Sequence, residues 1–274
     1  MSEDSATPDL VEVWRHANEV LNEGDLDAAI EFYAADAVLD TTRTLGSVDR
    51  GREAIRGKYE EWFAAYEELK VGVEELVDIG NGVAFAVLHQ KGRLLGATGY
   101  LEQREGVIGI FSDGLVTSLV FYRDIDEGRA VAERLAEKRA SAMSQENVDL
   151  VRRAVAALNA RDLDGYLACC TEDVALHTPL EAFVGVYERR DGIRQWLVDV
   201  EDAAPDFRID LQDVKAVGSD QVLAFAHLGT TGRASGVPLA GDSGNVYDLV
   251  DGKIRRTRIF LDRADALKAV GLEE

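Results

Sequence analysis

"NARDLDGYLACCTEDVAL", residues 159–176, repeats the pattern of "NEGDLDAAIEFYAADAVL", residues 22–39, at a distance of 137 residues. Both stretches share Asn, then Asp-Leu-Asp, and the "DAVL" that ends the first is matched by "DVAL" in the second. Self-similarity at a fixed distance indicates copies of one structural unit. We therefore predict a tandem duplication, with domain A at residues 1–140 and domain B at residues 141–274.

The repeat continues along the rest of the chain. The Asp-Gly pair at 113–114 recurs 138 residues later, whereas "VAFAVLH" from Val83 resembles "LAFAHLG" from Leu223 at a distance of 140. Gly92-Arg93 and Gly232-Arg233 are also 140 apart. A shift of two residues keeps every strand residue on the same face of a sheet, so the pattern predicts that both copies keep the same sheet.

Each copy shows helical spacing first and period-two alternation afterwards. Thr7-Pro8 and Ser144 are predicted to begin the first helix of each copy, Asp25 and Asp162 to cap the second, and the helical segment 124–142 to end domain A and become the linker. The later elements of domain A are predicted at Arg52–Tyr66 (helix) and at Leu69–Ile79, Val83–His89, Gly96–Phe111 and Leu115–Arg123 (strands). Three helices followed by long antiparallel strands predict an α+β fold, in which a curved sheet closes over the helices and leaves a cone-shaped pocket.

Composition narrows the possible partners. The 274 residues include 30 Lys and Arg against 51 Asp and Glu, a formal net charge of −21. A field of that sign repels phosphate, so we expect neither nucleic acid nor an anionic membrane as a partner. No apolar run of membrane-spanning length occurs, and residues 1–12 lack the pattern of a signal peptide, so the expected location is the cytoplasm.

Nothing in the sequence calls for a metal or a cofactor. The only cysteines, Cys169 and Cys170, are adjacent, and four histidines complete no zinc spacing. Both thiols are interpreted as small packed helix residues. No glycine pattern of a nucleotide-binding loop follows a strand. We expect no bound cofactor and no metal site.

Three stretches of domain B resemble a known superfamily: "VAALNARDLDGYLACCTEDVALHTP" from Val155, "RRDGIRQWL" from Arg189 and "VYDLVDGKIRRTRIFLDRADALKAVGL" from Val246. They resemble the NTF2-like superfamily, in particular its SnoaL-like and ketosteroid-isomerase-like branch, and domain A resembles it more loosely. The resemblance implies a pocket for a small apolar molecule and dimers packed through their sheets. Because Met143 resembles the start of a free-standing member, we expect a gene fusion and a monomer in which the two domains form an intramolecular pseudo-dimer.

The resemblance also allows a test of the reaction. Ketosteroid isomerases use a tyrosine, an aspartate base and a protonated aspartate, and the chemistry requires all three. The matching positions hold Ala154, Thr178 and Asn245 in domain B. In domain A they hold Ala17, Thr41 and, approximately, Val107. Steroid isomerisation by that mechanism is therefore not expected in either domain.

Domain B keeps more polar residues at the expected pocket. His177 is the candidate general acid or base, and Asn245 is the candidate donor to a substrate oxygen. Thr178 and Tyr247 would orient a ligand. The further lining candidates are Trp196, His227 and Thr257. Each of the three has a structural alternative. His177 could be a half-exposed histidine at a strand end, Asn245 an ordinary hydrogen-bonded strand asparagine, and His227 a core histidine with a backbone partner.

Domain A offers a second set of pocket candidates: Asp40, Thr41, Trp62 and Tyr66. Its later strands are more apolar, which favours a structural or regulatory role. Two functions stay open, and a purely structural subunit is a third reading. One is cofactor-free acid–base chemistry on a small, mostly apolar metabolite in domain B, of the isomerase, cyclase, dehydratase or epoxide-hydrolase type. The other is a binding or carrier protein that performs no reaction.

Overall fold

A computed structural model describes residues 9–231 and 238–272. The predicted helix start at Thr7-Pro8 and the repeat pair at Gly232-Arg233 lie outside the described residues. The chain divides between Arg139 and Ala140 into two compact units, which are domain A and domain B below.

Domain A follows the predicted order of helices and then strands. Its helices are α1 (Leu10–Asn22), α2 (Leu26–Glu31) and α3 (Arg52–Ala64), and its strands are β1 (Tyr33–Asp40), β2 (Val48–Arg50), β3 (Tyr66–Gly80), β4 (Val83–Leu94), β5 (Leu101–Ser112) and β6 (Leu115–Tyr122). Helix α4 (Ile125–Asn159) runs from domain A into domain B.

Domain B repeats this order. Its helices after α4 are α5 (Leu163–Ala168), the short α6 (Glu181–Val184), α7 (Arg189–Ala203) and α8 (Arg263–Ala269). Its strands are β7 (Cys170–His177), β8 (Tyr187–Glu188), β9 (Arg208–Val217), β10 (Gln221–Thr231), β11 (Pro238–Val250) and β12 (Lys253–Phe260).

Each domain holds one six-stranded sheet, and each sheet is mixed, not antiparallel as predicted. The orders are β2-β1-β6-β5-β4-β3 and β8-β7-β12-β11-β10-β9. The first long strand runs parallel to the last one, with Leu39 opposite Leu119 and Leu176 opposite Thr257. Strand periodicity carries no information about which distant strands pair, so the sequence pattern revealed only the antiparallel meander.

Helix α4 corrects the predicted linker. It continues without interruption through Ser144, which lies inside the helix and caps nothing. Between Arg129 and Asn159 the sequence contains no glycine or proline and is rich in Ala, Glu, Lys and Arg, which favour helix. The helix that ends domain A is therefore also the first helix of domain B.

The predicted caps of the second helix are confirmed in both copies. Asp25 Oδ1 accepts a hydrogen bond from the Ala28 amide at 3.0 Å, and Asp162 Oδ1 accepts one from the Gly165 amide at 2.9 Å. The first helix begins after Asp9, whose carboxylate accepts from the amides of Val11 and Glu12. These aspartates satisfy amides that have no partner within the helix.

The strand pairing corrects the predicted shift of 140. Phe85 lies opposite Ile108 and Val77, and Leu223 lies opposite Val246 and Lys215. The residue numbers of each equivalent pair, Phe85 and Leu223, Ile108 and Val246, and Val77 and Lys215, therefore differ by 138. A true offset of 138 and a false one of 140 place residues on the same face, so the alternation of apolar residues could not distinguish them.

Each sheet buries apolar residues on both faces. In domain A the inner face packs on α1 to α3 through residues such as Ala86, Val107 and Leu119. The outer face carries Phe85 and Ile108 and packs on the first half of α4. In domain B the inner face packs on α4, α5 and α7, and the outer face packs on α8. The predicted burial of one sheet by the other stays a prediction.

One asparagine in each copy holds the first helix to the edge of the sheet. Asn22 donates to the Val71 carbonyl at 2.8 Å and accepts from the Val71 amide at 2.9 Å. Asn159 makes the same pair of bonds to Ile209, also at 2.8 and 2.9 Å. Strands β3 and β9 are edge strands, so these side chains satisfy backbone groups that no strand pairs.

Replacing Asn159 with Ala removes both bonds and leaves two backbone groups of β9 without protein partners. We expect the free energy of unfolding to fall by about 1–2 kcal/mol. Chemical denaturation measures it, and Asn22→Ala is the matched variant that should show a loss of similar size. Unchanged stability in both variants would contradict a role for this contact in holding helix to sheet.

Candidate functional site

Two neighbouring cavities open on the inner side of the domain A sheet. The first, here called the polar chamber, has a volume of about 150 Å³. Its lining comprises Leu39, Thr41, Leu45, Lys58, Tyr59, Trp62, Tyr66, Gln90, Leu101, Gln103, Glu105 and Phe121. The second, the apolar chamber, has about 50 Å³ and is lined by α1 to α3 and the inner face of the sheet. Tyr59, Trp62 and Phe121 line both chambers.

Glu105 is the buried carboxyl of the polar chamber. It is only 4% exposed, and its carboxylate accepts hydrogen bonds from the amides of Gln90, at 2.9 Å, and Gln103. Burial raises the pKa of Glu105, while the charge of Arg123 and the bond from Gln90 oppose the rise. A carboxyl whose pKa is raised and that lines a cavity is a candidate proton-transfer group.

Three of the four domain A candidates line the polar chamber. Thr41 is buried, and its hydroxyl bonds the Ser47 hydroxyl at 3.0 Å, while Trp62 and Tyr66 contribute aromatic walls. Asp40 faces the other way at the end of β1 and accepts from the Thr42 amide and hydroxyl. Burial would raise the pKa of Asp40, but the Thr42 bonds and nearby arginines outweigh it and lower the pKa.

Two tyrosines form a buried hydroxyl pair beside the apolar chamber. The hydroxyls of Tyr33 and Tyr59 are 2.6 Å apart. Burial raises the pKa of Tyr59 to about 12 and raises that of Tyr33 well above its usual value. Both groups therefore stay protonated at neutral pH, and one hydroxyl donates its hydrogen to the other.

Three of the domain B candidates come together on its inner face. Asn245 and Tyr247 are two residues apart on β11 and therefore share a face, and Tyr247 lies opposite Thr257 on β12. All three are buried, and Asn245 donates to the Ser243 hydroxyl at 3.2 Å. Burial raises the pKa of Tyr247, with a smaller contribution from Cys170. The chambers described above lie in domain A, although the sequence had favoured domain B.

Tyr166, which sequence reasoning missed, joins this group. Burial raises the pKa of Tyr166 well above its usual value, Cys170 and Tyr247 add to the rise, and the Thr257 hydroxyl opposes it. Thr257 Oγ1 lies near that ring but makes no hydrogen bond of acceptable geometry. A buried hydroxyl without a partner costs free energy.

The remaining domain B candidates lie elsewhere. His177 is half-buried on the face opposite Leu176 and pairs with Glu181 at 2.9 Å. Thr178 accepts from the Leu180 amide in the loop that follows, and Trp196 packs within the core. His227 lies on the face of β10 opposite to the residues that pack on the core helices, and it pairs with Asp242 at 2.8 Å. The structure does not bring His177 or His227 together with Asn245.

Glu105 had a signal in the sequence that went unread. It stands two residues before Val107 on β5, so it shares the inner face with the position that the resemblance singles out. Its partner Gln90 lies on the neighbouring β4, again on the inner face. The period-two pattern therefore places Glu105 on the inner face together with Val107.

The described residues offer no cluster of three His, Cys, Asp or Glu side chains that could hold a metal ion. Within the same residues, no helix is both long and apolar enough to cross a lipid bilayer.

Sequence comparison identifies the repeated unit. The SnoaL-like domain matches residues 14–118 and again residues 151–257. The chain belongs to the SnoaL-like family. It consists of two tandem SnoaL/NTF2-like domains, a type of fold that occurs in polyketide cyclases and isomerases. A comparison with curated proteins finds no match.

Solved structures of similar proteins each span about half of the chain. The crystal structure of TerC co-crystallised with polyporic acid is 19% identical and covers 46% of this chain and 98% of its own, with a TM-score of 0.40. A putative polyketide cyclase from Xanthomonas campestris pv. campestris is 21% identical and covers 47% and 99%, with a TM-score of 0.39. An NTF2-like protein from Burkholderia pseudomallei K96243 is 18% identical and covers 46% and 98%, with a TM-score of 0.40.

The raised pKa of Glu105 predicts how stability changes with pH. The folded protein holds this proton more tightly than the unfolded chain, whose carboxyl titrates near 4.5. The stabilisation that Glu105 contributes is therefore fully present below pH 4.5. It is lost as the pH rises through the pKa that Glu105 has in the folded protein. Compared with Glu105→Gln, the unmodified protein should lose more free energy of unfolding over that pH range. Denaturant titrations at several pH values measure the difference, and parallel curves would contradict the raised pKa.

The lone hydroxyl of Thr257 gives a second prediction. Because it lacks a well-formed hydrogen bond, Thr257→Val should leave the free energy of unfolding unchanged or raise it. Thr41→Val is the matched control, since the Thr41 hydroxyl is bonded to Ser47, and it should cost about 1–2 kcal/mol. Thermal and chemical unfolding measure both. An equal loss in the two variants would show that Thr257 has a partner.

Proposed function

We propose that the protein binds a small, mostly apolar molecule in the polar chamber of domain A and carries out cofactor-free acid–base chemistry on it, with Glu105 moving the proton. The observation that supports this most is a carboxyl that is buried, held by two amides and exposed to a cavity. Isomerisation, cyclisation, dehydration and epoxide opening all require a proton transfer of this kind.

The surroundings of Glu105 fit such a role. Gln90 and Gln103 donate to the carboxylate and fix its position, so it is oriented before a ligand arrives. Leu39 and Phe121 provide buried apolar walls, and a surface of low polarity beside the carboxyl strengthens electrostatic interactions with the reacting atoms. Tyr66 supplies a hydroxyl for a ligand oxygen, whereas the Thr41 hydroxyl already donates to Ser47 and contributes to the wall.

The alternative is a binding protein without turnover. The apolar chamber favours it, because about 50 Å³ of mainly hydrocarbon-lined space contributes affinity and no chemistry. A second candidate site is the group of Asn245, Tyr247 and Thr257 in domain B, favoured by the buried Thr257 hydroxyl without a bond. There Asn245 would stabilise a ligand oxygen.

The first experiment identifies the ligand. Native mass spectrometry of the full chain from its host lysate detects a co-purifying molecule, and apolar ketones, epoxides and polyketide-like compounds are then screened for turnover. Glu105→Gln keeps the shape of the side chain but cannot transfer the proton. We expect it to lower turnover about 100-fold or more while changing affinity only a few-fold.

Two variants serve as controls for this test. Glu102→Gln makes the same change on the same strand, where Glu102 is exposed and pairs with Lys91, and should keep full turnover. Asn245→Ala should also keep it if domain A is the site. Loss of turnover in Asn245→Ala but not in Glu105→Gln would move the reaction to domain B. A ligand that is bound and never altered would establish the carrier function instead.

A further inference from the structure

We infer that one ligand occupies both chambers of domain A, with an uncharged oxygen-bearing ring in the polar chamber and a slender hydrocarbon tail in the apolar chamber. The inference rests on the proposed function and specifies the class of molecule that the site accepts. Ala17, on α1, then sets the length of tail that fits, because it is a small residue of the apolar chamber.

The two chambers share a wall that can contact such a ligand where its ring joins its tail. Tyr59, Trp62 and Phe121 line both of them. The rings of Tyr59 and Trp62 are stacked, with centroids 6.1 Å apart and planes inclined by 24°. Because the same three side chains line both, the chambers are adjacent, and a ligand that reaches from one into the other would lie against these aromatic surfaces.

The chambers differ in chemistry, which assigns the two ends of the ligand. The polar groups of the apolar chamber are already engaged: Asn18 donates to the Val71 carbonyl at 3.1 Å, and the Tyr33 and Tyr59 hydroxyls bond each other. A hydrocarbon tail therefore loses no hydrogen bond there. In the polar chamber, the Glu105 carboxyl accepts a hydrogen bond from a ligand hydroxyl when it is ionised and donates one to a ligand carbonyl when it is protonated. An uncharged head that bears oxygen is therefore suited to this chamber.

The volumes match this division. A cavity of about 150 Å³ holds one benzene-sized ring, as apolar cavities of that size in other proteins do. The apolar chamber, at about 50 Å³, leaves room only for a tail of a few carbon atoms. The site should therefore distinguish ligands by tail length.

The test uses 4-alkylphenols, from 4-methylphenol to 4-heptylphenol, titrated calorimetrically into the full chain. Each methylene that enters the apolar chamber should strengthen binding about fourfold, and the gain should stop after a few carbons. Ala17→Leu fills the chamber, so it should abolish the gain per methylene and leave the affinity for 4-methylphenol unchanged. Ala64→Leu, the same change at an exposed position of α3, is the control and should behave like the unmodified protein.

Trp62→Ala provides a second, independent variant. It removes part of the shared wall, so the gain per methylene should continue to longer tails. If Ala17→Leu and Trp62→Ala both keep the tail dependence of the unmodified protein, the tail lies elsewhere and the inference is wrong, although binding of 4-methylphenol still supports the pocket. If no alkylphenol binds at all, the pocket of the proposed function fails together with the inference.

Discussion

Both domains depend on the parallel pairing of the first long strand with the last one. An antiparallel meander alone would be an open sheet with its helices attached at one end. By placing β1 beside β6, and β7 beside β12, the chain brings the residues after its second helix against the final strand and closes the sheet over α3 or α7. A parallel pair requires a long crossover, and here α3 or α7 together with four strands supplies it. Leu39 beside Leu119 and Leu176 beside Thr257 then complete the inner face on which each core is built.

Within this common frame, the two cores are filled by aromatic residues at different places. Trp14 packs over Gly109 in domain A, where a Cβ atom at Gly109 would approach the ring to 2.2 Å. The matching positions in domain B hold Val151 and Tyr247, so the large side chain has moved from the helix to the strand. Ala29 and Tyr33 of domain A likewise correspond to Tyr166 and Cys170 of domain B. Such exchanges keep the packed volume similar while they relocate the polar hydroxyls, so one frame supports two different interiors.

The sequence predicted what repeats locally and missed what depends on distant contacts. Paired motifs such as Asn22 and Asn159 revealed the duplication because the same clamp is needed in each copy. The alternation of apolar and polar residues predicted the strands and the face on which each side chain lies. The parallel pairing and the offset of 138 could not be read, because both alternatives preserve the alternation. His177 and Glu105 show the limit for the site. Side-chain chemistry favours His177, but its neighbour Leu176 takes the inner face of β7. Glu105 is an acid in an apolar strand, and only the contacts of the folded chain show that it lines a cavity.

The position of Glu105 is costly for the fold, and this cost bears on its role. A buried carboxyl is ordinarily paired with a cation, but the charge that influences Glu105 most is that of Arg123, which is exposed and donates to the Thr44 carbonyl. The direct partners of Glu105 are two neutral amides, which position the group without cancelling its charge. A glutamine or leucine at this position would cost less free energy to bury. The proposed function accounts for this cost, because a carboxyl that lines a cavity and is oriented on both oxygens is placed to exchange a proton with a ligand.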